Sequence, residues 1–311
     1  MKAIVVEQYG GPEVLKLKDT ARPQPKDDEV LIRVMAAGVN PVDAYIRAGK
    51  FGEGKLPYIP GMDVAGVVEA TGANAKKFKA GDAVYAYLSF QEQGGYAEFC
   101  VAKENEVALK PKNVSYEQAA AVPLAATTAW QALIDTAQLK PGQTVLIHGG
   151  SGGVGHFAVQ IAKARGAKVI ATASTANQDL LKQLGVDQAI DYEKTKFEDV
   201  VKDVDVVLEA TRSDSMARSY GVVKKGGFVV SVTGPPDPAE LEKHGLRGDS
   251  LMAHPDSKVL DELTKLIEAK KLTTIVSQTF PLADASRAHQ QIETRHTRGK
   301  IVLKVAEAPK R

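Results

Sequence analysis

The chain has 311 residues, 44% of them hydrophobic, and its 40 basic and 38 acidic side chains leave a net charge of +2. That length suits two domains, since domains usually run ~100 to 200 residues, and the near balance of charge excludes the basic stripe that nucleic-acid binding needs. A single cysteine, Cys100, rules out an intramolecular disulfide and any zinc site built from two or more thiolates.

The opening "MKAIVVEQYGG" reaches Glu7 after four apolar residues, too few for the apolar core of a secretory signal. The most apolar small-residue run, "AAAVPLAATTAW" (119–130), is interrupted by Pro123 and is too short to span a membrane. A cytoplasmic protein with neither nucleic-acid nor membrane partner is therefore expected.

Up to about residue 120, short β-branched runs ("KAIVVEQY", "DEVLIRVMAAGV", "MDVAGVVEATG", "DAVYAYL", "AEFCVA") alternate with Gly, Pro and Asp. This pattern predicts a β-rich domain, either a barrel or a sandwich. "SYEQAAAVPLAATTAWQALID" (115–135) is helical in character and reads as a bridge. From 143 to about 253, strand and helix patterns alternate: "QTVLIHG", a helix from 152, "AKVIATA", a helix from 176, "DQAIDY", "VDVVLEA", a further helix and "GGFVVSVTG". Strands apolar on both faces, each followed by a helix, predict a parallel sheet covered on both sides. A helix, a strand, a helix and the strand "GKIVLKV" follow and are expected to return to the first domain, with "EAPKR" (307–311) as a loose tail. The expected division is thus α/β: a β-rich domain over 1–121, completed by 255–311, and a doubly wound domain over 122–254.

Between the run "TVLI" and a helix pattern lies "HGGSGGVG" (148–155). Gly150, Gly152 and Gly155 satisfy G-x-G-x-x-G, and Val154, Phe157, Ala158, Ile161 and Ala162 give the following helix an apolar face. In this motif the first glycine permits the tight turn, the second admits a pyrophosphate to the backbone, and the third lets helix and strand pack closely. Ser151, Gly153 and Val154 complete the expected cradle at the helix N-terminus. The next strand ends in Ala173, Ser174 and Thr175, where NAD-specific proteins place an acid for the ribose 2′-hydroxyl, so NADPH is expected over NADH. Asp179 comes late enough to be a helix-start residue instead.

Across nearly its whole length the chain resembles the zinc-independent quinone oxidoreductases of the medium-chain dehydrogenase/reductase superfamily, the group that includes the zeta-crystallins. The resemblance rests on "YGGPEVL" (9–15), "AAGVNPVDAYIRAG" (36–49), "PGMDVAGVVEATG" (60–72), "AGDAVYAY" (80–87), "GGYAEF" (94–99), "HGGSGGVG", "GVDQAIDY" (185–192) and "FPLADASRAH" (280–289). It implies a GroES-like catalytic domain, a Rossmann domain inserted within it, and a homodimer, for which "LRGDSLMAH" (246–254) stands where a sixth, edge strand would pair with its copy. Zinc alcohol dehydrogenases of the superfamily carry Cys where this chain has Asn40, and Gly-His-Glu where it has Gly61, Met62 and Asp63. No metal is therefore expected. Without a Lewis acid, a quinone or another conjugated carbonyl, which spreads incoming charge over its own π-system, is the better hydride acceptor.

The resemblance also implies site residues. Asn40 is expected to orient cofactor or substrate, and Tyr45 to polarise the acceptor oxygen or relay a proton, the alternative for Tyr45 being a buried aromatic that ties two strands together. Asp43 reads as a turn or helix-cap residue. Phe51 stands where related enoyl thioester reductases place a proton-donating Tyr, and a phenyl ring donates no proton. Tyr192 and Arg295 match residues near the 2′-phosphate, although Gln178 takes the place of the usual lysine there. Thr127 matches a residue near the nicotinamide; its alternative is a hydroxyl bonded back to its helix. His148, His156 and Cys100 are expected to be structural. The functional alternatives are a reductase of 2-alkenals, enones or enoyl thioesters, and an NADPH-binding sensor or structural protein without turnover.

Overall fold

The computed structural model describes residues 1–51, 55–92 and 94–307; most of the expected tail lies outside the described residues. In chain order the first elements are β1 (Lys2–Val5), β2 (Lys16–Asp19), β3 (Glu29–Val39), α1 (Pro41–Arg47), β4 (Asp63–Thr71), β5 (Ala83–Tyr87), β6 (Phe99–Lys103) and β7 (Val107–Leu109). There follow α2 (Tyr116–Ala120), α3 (Pro123–Trp130), β8 (Thr144–His148), α4 (Gly155–Ala164), β9 (Lys168–Ala173), α5 (Gln178–Gln183), β10 (Gln188–Asp191), α6 (Phe197–Val200) and β11 (Val204–Glu209). The last are α7 (Ser215–Ser219), β12 (Val223–Ser231), α8 (Pro238–His244), β13 (Arg247–Ser250), α9 (Ser257–Glu268), β14 (Val276–Pro281), α10 (Ala285–Glu293) and β15 (Lys300–Lys304). No helix among them is long and apolar enough to cross a membrane.

By internal contacts the chain divides into one unit of 1–127, 254–270 and 274–311 and another of 128–253 and 271–273. The first unit is built on a seven-stranded sheet of order β14-β15-β3-β4-β5-β7, with β6 also on β3, and a two-stranded β1-β2 sheet. β3 is its axis. Ten of its eleven residues are buried, because it is covered on both faces and paired along different stretches with β4, β6 and β15. Val30, Ile32, Val34, Val64, Val68, Val84, Ile301 and Leu303 form its core, each large apolar side chain contributing about 1.5–3 kcal/mol by leaving water. The antiparallel pairing of β15 with β3 brings the end of the chain back to the start of α1. Between Val39 and α1, Asn40 is the N-cap in extended conformation, Pro41 starts the helix with φ preset, and Asp43 accepts the Asn40 N–H at 2.9 Å. Asp43 is thus a capping residue, as expected.

The second unit is a six-stranded sheet of order β10-β9-β8-β11-β12-β13, every neighbouring pair parallel. This is the doubly wound order, with the switch point between β8 and β11, and the crevice at the carboxyl ends of those strands is where such sheets bind ligands. Leu146, Ile170, Ile190, Val207 and Val229 line its core with Phe197 and Tyr220. β13, mostly exposed, forms one edge within the stretch where a sixth strand was expected. The predicted helix over 115–135 is broken after Ala120, resumes at Pro123 and passes into a π-helical stretch, Gln131–Thr136.

Candidate active site

The glycine loop leaves β8 with Gly149 in the left-handed region at φ +74°, where a side chain would be strained. Here the sequence expectation is corrected: the turn depends on Gly149, one residue before the motif. Gly150 is needed for closeness, since a Cβ there would stand 2.8 Å from Ala171 Cβ and 2.9 Å from Leu181 Cδ2. A Cβ on Gly155 would overlap the carbonyl oxygen of Gly149, so the third glycine does admit the close approach assigned to it. α4 begins at Gly155, not at 152 as predicted, because Ser151, Gly152, Gly153 and Val154 are used in the turn. These four are half-buried, and no side chain caps the ten-residue helix behind them. The arrangement suits a pyrophosphate, whose charge is favoured at uncapped first-turn amides.

At the end of the next strand Ser174 and Thr175 carry no acid of their own, but Asp191, the last residue of β10, and Glu193, two residues beyond it, lie against Thr175. Asp191 is paired with Ala173 across the sheet, Thr175 Oγ1 donates to Asp191 Oδ2 at 2.6 Å, and the Thr175 N–H donates to Glu193 Oε2 at 3.1 Å. Tyr192 between them is exposed. Gln178, in place of the lysine, donates its amide to the carbonyls of Ala173, Ser174 and Ile190, tying the two strand ends together.

In the other unit, Asn40 is buried and its amide is engaged on both sides. Asn40 Nδ2 donates to Asp63 Oδ2 at 2.8 Å, while Lys300 Nζ donates to Asn40 Oδ1 and to the Val39 carbonyl. Lys300 Nζ lies 3.5 Å from Asp63 Oδ2, and Asp63 Oδ1 accepts the Leu124 N–H at 2.7 Å. Burial pushes the Asp63 carboxyl up and the Lys300 ammonium down, each opposed by the other's charge. Whichever atom holds the shared proton, the pair is net neutral. Sequence reasoning missed Lys300; its only signal was a lysine set directly before the apolar run Ile301–Leu303.

Next to it runs a directed chain of hydrogen bonds. Arg47 has only donors, so its Nη1 donates to His289 Nδ1 at 3.1 Å, which leaves His289 Nε2–H to donate to the Tyr96 hydroxyl at 3.3 Å. Tyr96 then donates to Asp43 Oδ2 at 2.9 Å. Burial, with the Arg47 charge, lowers the His289 pKa to about 3, so the ring is neutral, and burial raises that of Asp43 to about 7. Arg47 also pairs with Glu293 at 2.5 Å. This network fixes α1, on which Tyr45 is half-buried.

Thr127 is buried and its Oγ1 has no hydrogen-bond partner among the described residues, so the helix-backbone alternative is not realised and a polar ligand atom would satisfy it. Arg295 is exposed, in the left-handed region at φ +60°, on the first unit, whereas Tyr192 belongs to the second. Phe51 packs against Phe90 with ring centroids 5.1 Å apart. His148 is held between Thr172 Oγ1 and Ser219 Oγ, its pKa lowered to about 4 chiefly by burial; His156 Nδ1 donates to the Gly152 carbonyl. Burial pushes the Cys100 thiol up to about 12, making it inert. Among the described residues, no three His, Cys, Asp or Glu side chains are grouped to hold a metal ion.

Comparison with known proteins agrees with this architecture. The alcohol dehydrogenase GroES-like domain model matches residues 26–112 and the zinc-binding dehydrogenase model residues 184–303. A chloroplastic NADPH-dependent alkenal/one oxidoreductase of Arabidopsis thaliana is 40% identical over 97% of this chain and 79% of its own length. A quinone oxidoreductase of Sus scrofa is 37% identical over 97% of both chains. The solved quinone oxidoreductase of Coxiella burnetii superposes with a TM-score of 0.91 at 37% identity, covering 98% of this chain and 99% of that one. With the glycine cradle on a doubly wound sheet and the GroES-like unit completed by the returning β15, the chain belongs to the quinone oxidoreductase group of the medium-chain dehydrogenase/reductase superfamily.

Proposed function

We propose that the chain is a zinc-independent, NADPH-dependent reductase of quinones or other conjugated carbonyl acceptors. The observation that carries this reading is the buried Asn40–Asp63–Lys300 cluster. Where metal-dependent relatives bring ligands together, this chain brings a lysine, which repels a divalent cation when charged and already partners the only carboxylate of the cluster. A conjugated acceptor, which stabilises its own product anion, suits such a site. The bound nicotinamide supplies the hydride. The chain's residues do the rest: Gly150, Ser151, Gly152, Gly153, Val154 and Gly155 hold the pyrophosphate, with Ser174, Thr175, Tyr192 and Arg295 toward the 2′-phosphate and Thr127 toward the nicotinamide. Tyr45 donates a hydrogen bond to the acceptor oxygen as charge develops there. Asn40 acts at one remove, its amide bridging Asp63 and Lys300 at the start of the helix that carries Tyr45.

NADPH oxidation measured against ortho- and para-quinones, 2-alkenals, enones and enoyl thioesters tests the reading. We expect turnover with quinones, undiminished by strong chelators, and less than stoichiometric zinc by elemental analysis. Stoichiometric zinc with activity lost on its removal overturns it. The relative named for alkenals and enones favours the second reading, a double-bond reductase, and higher kcat/KM on 2-alkenals than on any quinone would select it. Tight NADPH binding with no oxidation by any acceptor points to a sensor.

We also propose a two-fold dimer built along β13. Among the described residues β13 pairs only with β12, and such an exposed edge invites pairing with its own copy. Sedimentation at micromolar concentration should give a dimer; a monomer there rules it out.

A further inference from the structure

The corner where β9 and β10 end carries a charge pattern that the glycine loop does not use. A 2′-phosphate is bound by hydrogen-bond donors and cations, a 2′-hydroxyl by an acceptor. Thr175 has two donors facing this corner, and both are already committed to carboxylates: its hydroxyl to Asp191 Oδ2 and its N–H to Glu193 Oε2. The Glu193 N–H in turn donates to Asp191 Oδ1 at 3.1 Å. Gln178 has its amide on three backbone carbonyls, and Ser174 Oγ accepts from Asn177 Nδ2 at 3.0 Å. Lys194, largely exposed, pairs with Asp191 at 3.2 Å and offsets one of the two negative charges. The Thr175 hydroxyl, the Glu193 N–H and Lys194 hold the Asp191 carboxyl below the ordinary range, so it is ionised at neutral pH.

We propose that Asp191 is a specificity-determining residue of the dinucleotide site: it withholds the Thr175 hydroxyl from the 2′-phosphate and repels it, keeping the advantage of NADPH over NADH small. The proposal rests on the reductase reading, which supplies the dinucleotide. It assigns the discrimination to the end of β10, a strand away from the place where the fold ordinarily puts its acid.

Dissociation constants for NADPH and NADH, read from nicotinamide fluorescence, test it on the whole protein. Asp191→Asn keeps an acceptor for Thr175 but removes the charge, so NADPH should bind about tenfold more tightly while NADH changes less than about twofold. Equal changes for both dinucleotides, no change, or weaker NADPH binding overturns the proposal. The wild-type protein gives an independent measurement that survives a variant that does not fold. Because both dinucleotides share the pyrophosphate, the ratio of their constants isolates the 2′-phosphate. Added salt screens a repulsion, so NADPH should gain on NADH as ionic strength rises. If NADPH instead loses ground, the corner is net attractive and the proposal fails. Failure of either dinucleotide to bind the wild-type protein strikes the reductase reading itself, and this proposal with it.

Discussion

Lys300→Met should destabilise the protein by about 3–5 kcal/mol, the usual effect of removing one partner of a buried ion pair. Methionine preserves most of the side-chain volume, so the loss is electrostatic. It leaves Asp63 buried with only the donors of Asn40 and Leu124. The effect has a predictable pH dependence. In the variant, burial keeps the folded pKa of Asp63 above its unfolded value of about 3.9, so the folded state binds the proton more tightly. The penalty is therefore smallest below pH ~4 and grows as pH rises toward the folded pKa. Combining Lys300→Met with Asp63→Asn should recover much of the loss, because no unpaired charge remains. Chemical-unfolding midpoints at several pH values measure both terms. A single-variant loss under about 1 kcal/mol at neutral pH would mean that water or a backbone shift satisfies Asp63 and that the cluster is not tightly held.

That pair also marks the limit of what the sequence discloses. Strands with continuous apolar runs, such as β3, β8 and β11, are legible because burial on both faces leaves little choice of residue. β2, "KLKD", is mostly exposed and carries no hydrophobic pattern, and β7, "VAL", is apolar but only three residues long; neither was anticipated. The glycine loop is legible as spacing, but spacing says nothing of φ, and the left-handed residue is Gly149, outside the motif. Asp191 lies 16 residues from Thr175 and reaches it only through the parallel register of β10 on β9. Lys300 lies 260 residues from Asn40, and only the pairing of β15 with β3 joins them. Residues local to one turn or helix, such as Asn40, Asp43 and the glycines, stand out in the sequence; partners made by sheet register do not.

Tyr45→Phe should lower kcat and kcat/KM together by about 10- to 1000-fold while leaving the NADPH dissociation constant nearly unchanged. The phenyl ring keeps the packing of a half-buried side chain, and α1 is fixed independently by the bond from the Asn40 N–H to Asp43, by Pro41 and by the Arg47–His289–Tyr96–Asp43 chain. The substitution therefore removes a hydroxyl while the other anchors hold the helix, and the unfolding midpoint measures any wider change. If the hydroxyl stabilises charge that appears only as hydride arrives, its loss raises the barrier and not the binding energy. The loss should be larger for weakly activated enones than for quinones, whose product anion is better delocalised and needs less help. Asn40→Ala serves as the contrast, since it leaves Asp63 and Lys300 without their shared partner, lowering stability together with activity. A Tyr45→Phe protein with near-wild-type kcat on every acceptor would show that the hydroxyl takes no part in the chemistry, and proton delivery would then fall to solvent.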